Sequence, residues 1–315
     1  MTSITGLEEN IKNLKIQGAT AVAFAVLDGL KIAEKELDRQ PNLDPHIFLQ
    51  EQSIRLAFSR PTEPLAQNAV RFIFQKKQNS LPAYFSLASQ YKKMISESKN
   101  KIAELGSNFI SNGGTYLTHC HSSTVTDTFI SAYTQNKKFR IYVTETRPLL
   151  QGRITVKELL TSGVRDIYMI IDSLAPGLLL ENKIKIGAVF VGADLLTQNG
   201  FVNKVGSLGI ARIAAENQIP LYCLCTLLKY DPRPFSQELI EKRDSREIWE
   251  NAPPELNFLT PAFDIIPYEK NITFVTEAGL LKGGQIESEA YKLYPFLGNK
   301  NREINEALGV FEKNK

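Results

Sequence analysis

Tyr116-Leu117-Thr118-His119-Cys120-His121-Ser122-Ser123-Thr124-Val125-Thr126-Asp127 is the stretch on which the fold turns. A strand ends within Thr118–Ser123 and runs directly into a helix. That junction presents a thiol beside hydroxyl groups and the open N–H groups of a helix start. Such a place favours anions, and a cysteine there is expected to ionise below its ordinary value of about 8.5, toward roughly 3.5 to 7.5. Further along, Gly192-Ala193-Asp194 ends a second buried strand. A thiolate and a carboxylic acid on neighbouring strand tips make a base and acid pair.

Around these two points the chain alternates. Short apolar runs at 115–118, 139–143, 166–171, 188–191 and 220–224 are separated by helical stretches at 124–135, 155–162 and 207–217. This alternation predicts a parallel sheet covered by helices on both faces. In such sheets ligands bind beyond the carboxyl ends of the strands, where the strand order reverses. Residues before about 108 read differently. Helical spacing runs from Ala19 to Leu37, through His46–Ala57 and Gln67–Lys77, and along a long helix from Pro82 past Leu105. The expectation is therefore an α/β protein: an N-terminal helical domain over residues 1–108, and a Rossmann-like domain with a mainly parallel sheet over 109–315.

Bulk properties narrow the class. The 315 residues are 43% apolar and 23% charged with net charge +3, an ordinary globular balance and no nucleic-acid surface. No apolar run reaches eighteen residues, and the N-terminus has neither a basic nor an apolar leader region, so a protein outside the membrane and in the cytoplasm is expected. Three cysteines form no disulfide framework; Cys223 and Cys225, two apart on a strand, lie about 6.6 Å from each other and read as core thiols.

Each motif has a structural rival. Cys120 competes with a buried structural thiol, since free cysteine is among the most buried residue types. His119 and His121 point away from Cys120 on an extended segment, so His-Cys-His is no zinc chelate, and no metal site is expected. Asp194 alone would be a turn residue. Downstream, Asn203-Lys204-Val205-Gly206 leads into an amphipathic helix, and a lysine and an amide beside a helix N-terminus suit a phosphate. Thr144-Glu145-Thr146-Arg147-Pro148, with Gln151-Gly152, carries charges that would form an ion pair or hold a phosphate. Arg60 opens a proline-bounded turn as a second anion clamp, and Lys229 follows the strand ending at 224. Dinucleotide, Walker and Gly-x-Ser-x-Gly signatures are missing from the sequence.

Taken together, Gln17-Gly18-Ala19, Arg60-Pro61-Thr62, Thr118-His119-Cys120-His121-Ser122, Thr144-Glu145-Thr146-Arg147-Pro148, Gly192-Ala193-Asp194, Asn203-Lys204-Val205-Gly206 and Pro261-Ala262-Phe263-Asp264 resemble one superfamily. It is that of the sugar-phosphate isomerases related to the alpha, beta and delta subunits of the translation-initiation exchange factor. The Thr-His-Cys-His-Ser junction is most similar to the ribose-1,5-bisphosphate isomerases of nucleotide salvage. That resemblance implies Cys120 as catalytic base and Asp194 as catalytic acid. It also implies Gln17, Gly18, Ala19, Thr20, Arg60, Ser122, Ser123, Thr124, Arg147, Asn203, Lys204 and Lys229 around the substrate. It implies a homodimer or homohexamer, and neither metal nor redox cofactor. Methylthioribose-1-phosphate isomerases share the pair but continue after the cysteine with Asn-Ala-Gly-Gly rather than His-Ser-Ser. Regulatory subunits generally lack the cysteine. Two departures stand out: Gln17 occupies the place of the family's phosphate-loop arginine, and the stretch from Asn199-Gly200 to Asn203-Lys204 is one residue short.

Overall fold

The computed structural model describes residues 3–40, 42–180, 184–233, 237 and 240–298. Those residues form two compact units.

The first unit holds α1 (Ile4–Lys12), α2 (Ala19–Leu37), α3 (Pro45–Ala57), α4 (Pro64–Ile73) and most of α5 (Leu81–Ser107). Val22, Ala23, Val26, Leu27, Leu30, Ala33 and Leu37 bury one face of α2, as their spacing predicts. The Asp44 side chain accepts from the His46 and Ile47 N–H groups, and Pro45 pre-sets the first turn of α3. The fourth helix begins earlier than the pattern at 67 suggests, because Pro64 starts it. The chain returns to this unit at Leu228–Pro232 and again, among the described residues, from Glu287 onward. The first compact unit runs to Glu97, and two later segments rejoin it.

The second unit carries β1 (Thr115–Thr118), α6 (Ser123–Thr134), β2 (Arg140–Thr144), α7 (Gly152–Thr161), β3 (Ile167–Ile170), α8 (Leu174–Leu180) and β4 (Ala188–Val191). It continues through β5 (Leu195–Leu196), β6 (Gly200–Lys204), α9 (Ser207–Glu216), β7 (Leu221–Leu224), β8 (Phe263–Pro267), β9 (Ile272–Thr276) and β10 (Gly279–Leu281). The last helix, α10 (Ile286–Leu293), lies in the segment that rejoins the first unit, apart from its first residue.

Seven strands form the main sheet in the order β10-β9-β7-β4-β1-β2-β3, parallel except for the antiparallel edge strand β10. The chain builds outward from β1 through β2 to β3, then crosses to the other side of β1 and continues through β4. The strand order therefore reverses between β1 and β4. The fold is mixed α/β with a mainly parallel sheet, as the alternation of the sequence implies. All four residues of β4 are buried, the signature of a strand covered on both faces. Tyr116, Phe129, Phe139 and Phe190 interlock beneath β1, with Tyr116 and Phe190 edge to face at 5.4 Å.

A second, three-stranded antiparallel sheet has the order β5-β6-β8. It grows directly out of the end of β4. Asn203 and Lys204 therefore sit on a strand, where the sequence pattern reads as a lead into a helix.

Candidate active site

The reversal point puts Cys120 and Asp194 at adjacent strand ends. Thr118 pairs with Phe190 in register, so Cys120 and Gly192 leave the sheet side by side. The tips touch: a Cβ on Gly192 would lie 2.6 Å from Ser122 Oγ, so glycine is needed there. Cys120 and Asp194 also act on each other electrostatically.

Cys120 is buried and departs from strand geometry, with φ at +70°, a conformation that costs a non-glycine residue about 1 to 3 kcal/mol. Its N–H donates to Thr146 Oγ1 at 3.0 Å, its carbonyl accepts from the Thr155 hydroxyl, and its Sγ lies 3.7 Å from Gln151 Oε1. Burial pushes the thiol up to about 12; Lys204 pulls it down, while Asp194 and Asp172 push it further up. The free protein therefore holds a thiol and not the thiolate that the helix start suggested. Burial of the thiol outweighs the partial charge of one helix turn.

Asp194 is half-buried. Its N–H donates to the Val202 carbonyl at 2.8 Å, which ties it to the β5–β6 hairpin. Among the described residues its carboxylate makes no hydrogen bond. Asn203 donates to Ser207 Oγ at 2.9 Å. Lys204 is buried with its ammonium 4.8 Å from the centre of the Phe263 ring, and among the described residues it makes no ion pair.

Other expected residues fall out differently. The N-terminus of α9 is not an open phosphate seat: Asp264, opposite Asn203 on β8, accepts from the N–H groups of Gly206 and Leu208 at 2.8 and 2.9 Å. An internal carboxylate already fills the place. Ser122 caps α6, with Ser123 and Thr124 in its first turn. Arg147 is exposed and donates to the Glu247 carbonyl at 3.3 Å. His119 and His121 diverge, the first to Thr144 and Val205, the second to Thr155. No metal-binding group of His, Cys, Asp and Glu occurs among the described residues. Cys223 and Cys225 are buried free thiols, their sulfurs 3.9 Å apart. A cleft of 360 Å³ lined by Lys99, Ser123, Asp127, Lys157 and Glu158 does not include the pair.

Gln17, Gly18, Ala19, Thr20, Arg60 and Lys229 belong to the first unit. Gly18 precedes α2 at φ +88°, a conformation natural to glycine, and Gln17 is exposed. Arg60 is buried with its guanidinium 3.3 Å from Glu63, so the expected clamp carries its own counter-charge. Beside the charges of Glu145 and Arg147 stand two hydroxyls that charge alone does not point to: Thr146 Oγ1 holds the Cys120 N–H, and Thr144 Oγ1 lies 3.1 Å behind it.

A cysteine and an aspartate at the ends of adjacent parallel strands, astride the point where the strand order reverses, stand where α/β sheets as a class bind their ligands. Residues 15–283 match the Initiation factor 2 subunit family, and the chain belongs to that family. It is 31% identical over 293 residues to the ribose 1,5-bisphosphate isomerase of Pyrococcus furiosus, covering 87% of this chain and 89% of that one. It is also 31% identical over 300 residues to the methylthioribose-1-phosphate isomerase of Dehalococcoides mccartyi, covering 88% and 90%. The crystal structure of translation initiation factor eIF-2B from Pyrococcus horikoshii superposes with a TM-score of 0.76 at 26% identity, covering 89% of this chain and 96% of that one. No helix among the described residues is long and apolar enough to cross a membrane.

Proposed function

We propose that this chain converts ribose 1,5-bisphosphate to ribulose 1,5-bisphosphate. Its relatives make it an aldose–ketose isomerase; the choice of sugar is our reading. The observation that carries the chemistry is the pairing of Cys120 and Asp194 on adjacent strand tips, with Lys204 nearby.

A phosphate on C1 keeps the aldose in its ring form. Asp194 donates a proton to the ring oxygen as the ring C–O bond at C1 breaks. The Cys120 thiolate takes the proton from C2, and the released electron pair forms a C1–C2 double bond. A proton then returns to C1 while the C2 hydroxyl becomes the carbonyl, giving the ketose. Lys204 and the first turn of α6 stabilise the enolate oxygen.

The resting thiol fits this scheme through charge balance. The Asp194 carboxylate raises the thiol's affinity for its proton. A proton on Asp194 removes that opposition, so the working state carries one negative charge, on sulfur, with Lys204 to offset it.

The Thr-His-Cys-His-Ser junction favours the bisphosphate over methylthioribose 1-phosphate, and Gln17 sits where a charge is lost. Phosphorus NMR on the purified protein, with each sugar offered separately, tests the reading. Ribulose 1,5-bisphosphate should accumulate from the first sugar and little product from the second. Turnover of methylthioribose 1-phosphate alone would replace our substrate with the sister one.

A further inference from the structure

Cys120 and Thr146 are both non-glycine residues at positive φ, +70° and +63°. For a β-branched residue such as threonine this backbone is a genuine outlier. Two strained turns, one after β1 and one after β2, are fastened to each other by the bond from the Cys120 N–H to Thr146 Oγ1. Strain survives where the surroundings over-determine it.

The surroundings here form one ordered chain. Thr146 Oγ1 lies 3.1 Å from Thr144 Oγ1, which lies 2.8 Å from His119 Nδ1, while His119 Nε2 lies 2.9 Å from the Val205 carbonyl. Its two ends fix the direction of the protons. A carbonyl only accepts, so His119 carries its proton on Nε2. A backbone N–H only donates, so Thr146 Oγ1 accepts from Cys120. His119 Nδ1, left with a lone pair, accepts from the Thr144 hydroxyl. The Thr146 hydrogen is then shared between Thr144 Oγ1 and the Thr144 carbonyl at 3.4 Å. Burial lowers the His119 pKa, in keeping with a ring that stays neutral. The Thr146 and Arg147 N–H groups are clamped from outside by the two oxygens of Asp172, each at 2.7 Å. At the other end, Val205 directly follows Lys204. The chain therefore spans from the residue that holds the thiol to the strand that holds the cation.

We propose that Thr146, Thr144 and His119 form a one-way relay that positions Cys120 against Lys204, with His119 as the Nε2–H tautomer. These are positioning residues, since none of them needs to touch the sugar. The catalytic consequence rests on the isomerase reading above; the relay itself does not.

Two kinds of measurement test it. The chain has only three histidines, so nitrogen-15 NMR resolves His119 in the unmodified protein. A proton on Nε2 with a bare Nδ1 is expected, and a proton on Nδ1 overturns the relay whether or not any variant folds. In Thr146→Val, alkylation of Cys120 by iodoacetamide, read by peptide mass spectrometry, should quicken about fivefold or more as the turn loosens. With ribose 1,5-bisphosphate, kcat should fall about 10- to 100-fold with KM within about twofold, and Thr146→Ser should restore most of it. A folded Thr146→Val protein with unchanged labelling and unchanged kcat overturns the proposal. Should the unmodified protein turn over no sugar phosphate, the functional reading fails, and the tautomer and labelling results still decide the relay.

Discussion

The two strand tips at the reversal point are built in opposite ways. Cys120 is buried, strained, and tied through its N–H, its carbonyl and its sulfur to Thr146, Thr155 and Gln151. Asp194 is half-buried and tied only by its backbone to Val202, its carboxylate left open among the described residues. In the proposed reaction the base must meet one carbon-bound proton at a fixed angle, whereas the acid follows a ring oxygen that moves as the ring opens. Rigidity on one tip and freedom on the other match those tasks.

The comparison breaks most sharply at the two side chains themselves. Cys120→Ser should lower kcat by about 10³- to 10⁴-fold and Asp194→Asn by about 10²- to 10³-fold, with circular dichroism unchanged for both. A Cys120→Ser protein that keeps its rate would remove the thiol from the mechanism. The next effect sharpens the protonation state. With the thiol raised to about 12, alkylation of Cys120 in the substrate-free protein should climb about tenfold per pH unit from pH 7 to 10 without levelling. A plateau near neutrality would mean that the helix start prevails over burial after all. The sign for stability follows: the folded state holds this proton more tightly than the unfolded chain, so the contribution is intact below about 8.5 and is lost as pH rises above it. The smallest effect concerns the neighbouring helix. Asp264→Ala should cost about 1 kcal/mol in a urea titration by uncapping α9. It should also open two N–H groups to phosphate, detectable as a gain in stability in phosphate buffer.

Local patterns made five of the seven strands of the main sheet readable. Apolar runs bounded by helical stretches define β1, β2, β3, β4 and β7, and the placement of Cys120 and Asp194 at neighbouring strand ends is legible because strand ends are visible in one dimension. The second sheet was not readable, because β5 is two residues long and the partner of β6 lies far downstream on β8. The same distance hid Asp264 from Gly206. The ionisation of Cys120 went wrong for a related reason: a helix start is local, but burial is a sum over the whole fold. Within Thr144-Glu145-Thr146-Arg147, charge drew the eye, and the hydroxyls do the holding.

Everything between Cys120 and Asp194 in the sequence leaves β1, runs outward through β2 and β3, and comes back beside it. The pair is thus insulated from the far rim of the sheet. A cut in the chain at Ser162, at the exposed C-terminal end of α7, falls at the opposite end of that helix from the strand tips. A protein nicked there should retain its chemistry.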